Sequence, residues 1–252
     1  MTRSSRSSST RSGRRRATRL LAWVLAVLVL AVIVSTLTGE GLLDSLRNVP
    51  KSPPPAPDGD AGPVTGEEAA EARERLEGVE TAEPRPRGDY ERDEFGSSWV
   101  DTDDNGCSTR NDILARDLEE VAAGADCKVL SGVLDDPYTG ERIEFSAEDP
   151  QAVQIDHVVP LSLAWRMGAA DWNRDRRVEF ANDPANLLAA DGPANGRKGD
   201  AGPGEWQPYE GYRCSYAVVY IGVTRDYGLP LAPKDRQGLA DMLDTCAGTA
   251  LG

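Results

Sequence analysis

A single histidine constrains this chain more than any other residue. His157 is the only histidine among the 252 residues. Apolar Val153, Ile155 and Val159 alternate around it, which predicts a β-strand through this segment. Imidazole titrates near neutral pH, so His157 can accept a proton from water under physiological conditions. A lone histidine in a strand is usually structural, so the surrounding residues must decide whether it is catalytic.

Oxygen-bearing and cationic side chains accompany His157 in a fixed order. Asp156 directly precedes it, Asn186 and Asn195 follow, and Lys198 lies three residues after Asn195. Carboxylate and amide oxygens suit a hard divalent cation, and Lys or Arg side chains suit a phosphate. The combination predicts metal-assisted hydrolysis of a phosphodiester. Because neighbouring side chains of an ideal strand point to opposite faces, Asp156 and His157 can share one site only if the backbone bends beside them.

The same series resembles the HNH endonuclease family, and most closely its secreted single-domain bacterial members. The resemblance rests on Asp-His-Val-Val-Pro-Leu at residues 156–161, Asn-Leu-Leu at 186–188 and Asn-x-x-Lys at 195–198. It is strong over residues 156–198 and weaker from about residue 67 to the C-terminus. It implies an α+β fold, in which a ββα-metal core is embellished by several helices and a β-hairpin and stapled by disulfides.

The resemblance implies a role for each motif residue. His157 would be the general base, Asn186 would brace the hairpin and orient the histidine, and Lys198 would steady a phosphate. Asp156 and Asn195 would hold one divalent metal ion, Mg²⁺ first and Mn²⁺ as the alternative, since two protein ligands leave room for waters and substrate. Two further arginines are candidates for phosphate contacts: Arg197 and Arg110.

We therefore expect an endonuclease that cleaves DNA, with RNA as an alternative substrate, outside the cytoplasm and without an obligate protein partner. The main alternative is a catalytically silent HNH-fold domain that binds a cell-envelope polymer or a partner. A net charge of −14 favours that alternative, because affinity for DNA comes largely from phosphate neutralisation. A serine hydrolase is excluded because no serine lies in a Gly-x-Ser-x-Gly motif.

A separate metal-like pattern lies upstream. Residues 101–106 read Asp-x-Asp-x-Asn-Gly, and Asp112 follows at the twelfth position, a spacing similar to a calcium-binding EF-hand loop. The twelfth position of that loop is normally Glu, and Cys107 occupies the seventh. We therefore favour a polar loop, with Ca²⁺ as the alternative at four residues: Asp101, Asp103, Asn105 and Asp112.

Four cysteines fit an oxidising compartment as two disulfides, and the absence of Cys-x-x-Cys argues against structural zinc. Three pairings are possible. The sequential one is expected because each bond then closes a modest local loop: Cys107 with Cys127, and Cys214 with Cys246.

The N-terminal region combines seven arginines within residues 1–19 with an uncharged run over residues 20–37. As a helix this run would span about 27 Å, close to the ~30 Å hydrocarbon thickness of a bilayer. We expect a cytoplasmic tail over residues 1–19, a transmembrane anchor over 20–38, a Pro-rich linker over 39–64 and an extracellular domain over 65–252. Signal-peptide cleavage, which would give a secreted protein, is the alternative.

Overall fold

A computed structural model describes residues 64–86 and 88–246. Its helices in chain order are α1 (Gly66–Gly78), α2 (Thr109–Asp117), α3 (Leu161–Arg166), α4 (Arg174–Asn182), α5 (Gly192–Lys198), α6 (Arg213–Asp226) and α7 (Pro233–Leu243). Its strands are β1 (Glu119–Ala123), β2 (Val129–Asp135), β3 (Arg142–Ser146), β4 (Val153–His157) and β5 (Leu187–Asp191). They form two antiparallel sheets, β1-β2-β3 and β4-β5. This mixture of helices and small sheets confirms the predicted α+β class.

The predicted cytoplasmic tail and membrane anchor lie outside the described residues, as does the linker up to residue 63. In the two described ranges, no helix is both long enough and apolar enough to cross a membrane.

Helix α1 begins at a capping box. The hydroxyl of Thr65 accepts a hydrogen bond from the Glu68 backbone N–H at 3.2 Å, and the Glu68 carboxylate accepts one from the Thr65 N–H at 2.8 Å. Ala69, Ala72 and Leu76 recur at helical spacing and are buried. This apolar face packs on α6 and α7, so α1 is part of the folded domain.

The three-stranded sheet contains the predicted hairpin and one strand that was not predicted. β2 and β3 pair across the turn at residues 136–141, with Asp135 opposite Arg142. Helix α2 precedes this sheet and ends at Asp117. The Asp117 carboxylate accepts a hydrogen bond from Ala189 N–H of β5 at 2.7 Å, and Leu118 turns away into the core. The chain then forms β1.

The strands β4 and β5 form a second antiparallel pair, with His157 opposite Leu187. Helix α5 starts at the end of β5, where the Asp191 side chain accepts a hydrogen bond from Ala194 N–H at 2.7 Å. Gly192 is required at this junction because a Cβ atom there would lie 2.0 Å from the carbonyl oxygen of Gln151. The resulting order is strand, strand, helix, with α3 and α4 inserted between the two strands.

Apolar side chains pack against both faces of this strand pair. Alternate residues enter two different clusters, as the twofold repeat of a strand requires. Leu187 and Ala189 join a smaller cluster with α2 and the first sheet, whereas Leu188 and Ala190 join a larger cluster with the other helices. The end of β4, where His157 lies, is therefore held between two cores.

Two disulfides close the domain, and both have the sequential pairing. One joins Cys107, just before α2, to Cys127 in the turn between β1 and β2. The other joins Cys214 in α6 to Cys246 after α7.

Candidate active site

An open cleft of about 710 Å³ runs along β4. Its lining includes polar and aromatic side chains from several elements: Tyr90, Arg92, Trp99, Arg110, Gln154, Asp156, His157, Asn195 and Asp200. A second groove of about 680 Å³ lies between α1 and the end of α6, and no histidine lines it. The first cleft therefore brings together Asp156, His157 and Asn195, whereas Asn186 and Lys198 are absent from its lining.

His157 is the last residue of β4, and its ring is held from two sides. The ring atom Nε2 lies 2.9 Å from the carbonyl oxygen of Ala181, at the end of α4. A carbonyl only accepts hydrogen bonds, so Nε2 carries the proton and Nδ1 keeps its lone pair. The indole of Trp99 stacks on the imidazole, with ring centroids 6.2 Å apart and an interplanar angle of 12°.

The charge state of His157 follows from its burial, since only 5% of the residue is exposed. Burial lowers the pKa of the ring from 6.5 to about 4; the Ala181 carbonyl and Asp156 oppose this shift, and the charges of Arg92 and Lys198 add to it. The imidazole is therefore neutral at physiological pH and able to accept a proton.

Asp156 is oriented by two buried donors on one oxygen. Its Oδ2 accepts a hydrogen bond from the Tyr138 hydroxyl at 2.6 Å and forms an ion pair with Lys198 Nζ at 2.7 Å. Within the described part of the chain, Oδ1 accepts no hydrogen bond. Asp156 and His157 both line the cleft, so two neighbouring strand residues do reach one space here.

The predicted phosphate contact of Lys198 does not fit this placement. Lys198 is 1% exposed, and its Nζ also donates a hydrogen bond to the carbonyl oxygen of His157 at 2.9 Å. The Lys198 side chain is absent from the cleft lining and is too buried to contact a substrate. Its observed partners are the Asp156 carboxylate and the His157 backbone, and a phosphate contact does not fit this burial.

Asn186 is fully buried behind the histidine. Its Oδ1 accepts a hydrogen bond from Val159 N–H at 2.8 Å, and its backbone oxygen accepts one from Val158 N–H at 2.8 Å. Both bonds fix the backbone immediately after His157. This geometry suits the bracing role that the resemblance implies.

Asn195 lies on α5 and faces the cleft. Its Nδ2 donates a hydrogen bond to Gln154 Oε1 at 2.9 Å, and its Oδ1 has no hydrogen bond within residues 64–86 and 88–246. The cleft wall thus contains two uncommitted oxygens, one from Asp156 and one from Asn195. Among the residues described, no group of three or more His, Cys, Asp or Glu side chains is arranged to hold a metal ion.

The two predicted arginines have different positions. Arg110 lines the cleft and donates long hydrogen bonds of 3.4 Å to the carbonyl oxygens of Pro150 and Val153. Arg197 is exposed on α5 and is absent from the cleft lining.

Arg92 and Trp99 also line the cleft, and neither was predicted from the sequence. Of residues 90–100, only Phe95 is fully buried. Nothing in the spacing of residues 90–100 connects them with His157, since the contact is made across the fold.

The candidate calcium loop does bring its four side chains together. Asn105 Nδ2 donates hydrogen bonds to Asp103 at 3.1 Å and to Asp112 at 3.3 Å, while Asp101 accepts one from Gly106 N–H at 2.9 Å. These contacts close the loop through its own donors. This is the hydrogen-bonding pattern of a polar loop, the interpretation that we favoured.

A relative covers most of the chain. It is called "Uncharacterized secreted protein", comes from Arthroderma benhamiae, and is 37% identical over 181 residues, which are 71% of this chain and 86% of the relative. No solved structure matches the chain significantly. The relative is called a secreted protein, and no helix of the described residues could cross a membrane, so we withdraw the membrane-anchor prediction.

A family model for the C-terminal domain of GmrSD restriction endonucleases matches residues 108–235. The matched range contains Arg110, Asp156, His157, Asn186 and Asn195, and it ends before α7 is complete. A nuclease-related family is thereby shown, while the single-domain HNH assignment is narrower than this match. The chain belongs to the family of the GmrSD restriction endonuclease C-terminal domain.

Proposed function

We propose that this protein is a secreted, metal-dependent endonuclease of the HNH type that hydrolyses phosphodiester bonds in DNA, with RNA as an alternative substrate. The observation that carries the proposal is a neutral histidine whose Nε2 is tied to a backbone carbonyl, in a cleft shared with two uncommitted ligand oxygens. The nuclease-related family and the secreted relative support the activity and the location.

His157 acts as the general base in this proposal. Its protonated Nε2 is tied to Ala181, so Nδ1 takes the proton from the attacking water. General-base catalysis contributes on the order of 10²–10⁴ in rate. Trp99 covers one face of the ring and keeps it in this orientation.

Asp156 and Asn195 would hold the divalent ion through their free oxygens. One carboxylate and one amide fit Mg²⁺, or Mn²⁺ as the alternative, because such ions retain several waters in protein sites. When bound, the ion supplies Lewis-acid stabilisation of charge on the phosphate and the leaving oxygen. Lys198 and Tyr138 fix the other Asp156 oxygen, which aims the free one at the cleft.

Digestion of plasmid DNA by the full chain, with Mg²⁺, Mn²⁺ or a chelator, tests this proposal. We expect cleavage only with metal, and a loss of about 100-fold or more in His157→Ala. Asp156→Ala should lose metal-dependent cleavage, whereas Asp101→Ala, in the upstream acidic loop, should retain it. Robust metal-dependent cleavage by His157→Ala would refute the assignment of the base.

A silent binding domain is the second candidate, because the net charge of −14 repels nucleic acids. It predicts tight binding to a cell-envelope polymer, with no cleavage of DNA or RNA under any of these metal conditions. The same panel of assays therefore separates the two candidates.

A further inference from the structure

The cleft has a direction, which is set by β4. Its lining follows the chain from Pro150 and Gln151 through Gln154 to His157 and continues over residues 160–162. At about 3.3 Å per residue, the four steps from Val153 to His157 span roughly 13 Å. Phosphates of one DNA strand are spaced about 3.4 Å along the axis of a duplex and farther apart in an extended strand, so this length corresponds to a few nucleotides at most.

An arginine lies at each end of this track. The Arg110 guanidinium lies 3.4 Å from the carbonyl oxygens of Pro150 and Val153, at the start of β4. Arg92 lines the other end, where it also borders a small adjoining cavity together with His157 and Ala181. The two cations therefore flank the strand that carries the proposed chemistry.

These two arginines are available to an anion. Neither forms an ion pair with a carboxylate in the described ranges, in contrast to Arg116 with Asp117 and Arg177 with Glu94. The cleft carboxylates have cationic partners from within the protein: Lys198 lies 2.7 Å from Asp156, and Arg166 lies 3.7 Å from Asp200. An acidic protein thus presents a locally cationic cleft.

We propose that one strand of the nucleic-acid substrate lies along β4, with Arg92 contacting the phosphate at the cleaved bond and Arg110 forming a separate phosphate subsite a few nucleotides away. This inference rests on the proposed nuclease function and adds how the substrate lies in the cleft. It makes Arg110 a length-dependent contact: a substrate too short to reach the start of β4 does not use it.

The test compares three substrates of the full chain with Mn²⁺: bis(p-nitrophenyl) phosphate, a dinucleotide and a dodecanucleotide. We expect Arg110→Gln to lower kcat/KM about tenfold on the dodecanucleotide, as for one lost charge-assisted contact, and to leave the two short substrates unchanged. Arg92→Gln should lower activity on all three. Arg110→Lys, which keeps the charge, should recover most of the activity on the dodecanucleotide.

Salt dependence gives a second readout that a structural role of Arg110 would not produce. In Arg110→Gln, the negative slope of log(kcat/KM) against log salt concentration for the single-stranded dodecanucleotide should become shallower by about 0.7, the value for one phosphate contact. Arg225→Gln is the matched control, since Arg225 is exposed on α6 and lines the other groove. It should change neither the slope nor the length dependence.

Equal losses on all three substrates, or no loss on the dodecanucleotide, would overturn the subsite at Arg110. The failure of the nuclease proposal itself looks different, because the unsubstituted chain would then cleave nothing with any metal. In that case, the affinities of His157→Ala for a fluorescent dinucleotide and a fluorescent dodecanucleotide still decide the inference. His157→Ala should bind the dodecanucleotide more tightly than the dinucleotide, and His157→Ala/Arg110→Gln should bind both with similar affinity. Any other result would overturn the proposed path of the substrate along β4.

Discussion

At the scale of single residues, burial of His157 couples protonation to stability. The folded pKa of about 4 lies below the 6.5 of an exposed ring, so between these values the unfolded chain binds more protons. In chelator, the contribution of His157 should be complete above pH 6.5 and lost as the pH falls towards 4, a change of about 3 kcal/mol. Urea unfolding across this range measures it. His157→Gln should lack this part of the pH dependence, and parallel curves for the two proteins would contradict the burial argument.

Lys198 and Asp156 form a buried pair, so their substitution should be costly and coupled. Lys198→Met leaves the Asp156 carboxylate buried with only Tyr138, and removing one partner of such a pair costs about 3–5 kcal/mol. Asp156→Asn/Lys198→Met should recover part of that loss, because no charge is then left unpaired. Urea denaturation checks both values. Arg197→Met, one residue away but exposed, should cost under about 0.5 kcal/mol; a loss equal to that of Lys198→Met would show that the ion pair is not the cause.

At the scale of elements, Asn186 connects β5 to the backbone that follows β4. Asn186→Ala leaves the Val159 N–H buried without its partner, at a cost of about 1–3 kcal/mol, and should lower cleavage because the chain next to His157 loosens. Asn173→Ala removes the exposed N-cap of α4 and should cost about 1 kcal/mol without reducing cleavage at a permissive temperature. Thermal unfolding and plasmid digestion of both variants separate a local role from general destabilisation. Equal activity losses would contradict the bracing role.

The same elements show what the sequence could predict. Alternation of apolar residues around His157 predicted β4, since this pattern follows from the faces that the strand buries. Strand β1 escaped prediction because its exposed residues have no apolar periodicity. The Ala181 carbonyl that fixes the histidine tautomer is backbone, so no side-chain motif can reveal it. The placement of Arg92 and Lys198 depends on how distant elements pack, which spacing alone does not encode.

At the scale of the whole molecule, the two apolar clusters on either side of β4 and β5 are each reinforced by a covalent link. The disulfide between Cys107 and Cys127 joins the segment before α2 to the first sheet, on the side of the smaller cluster. The disulfide between Cys214 and Cys246 joins α6 to the chain after α7, and Cys246 itself belongs to the larger cluster. Neither bond crosses from one cluster to the other, so each should stabilise its own side of the fold.

Removal of either disulfide should therefore lower the free energy of unfolding, by an amount that increases with the number of residues in the loop that the disulfide closes. Sequence separations of 20 and 32 residues correspond to about 3.3 and about 3.7 kcal/mol in the loop-entropy description. Paired Cys→Ser variants, measured by urea unfolding beside the oxidised parent, give both values. Because total stability of a domain is typically about 5–15 kcal/mol, each variant should remain folded but have a clearly lower midpoint. A larger loss from the shorter loop would show that strain or residual structure, rather than chain entropy, governs the stability of this fold.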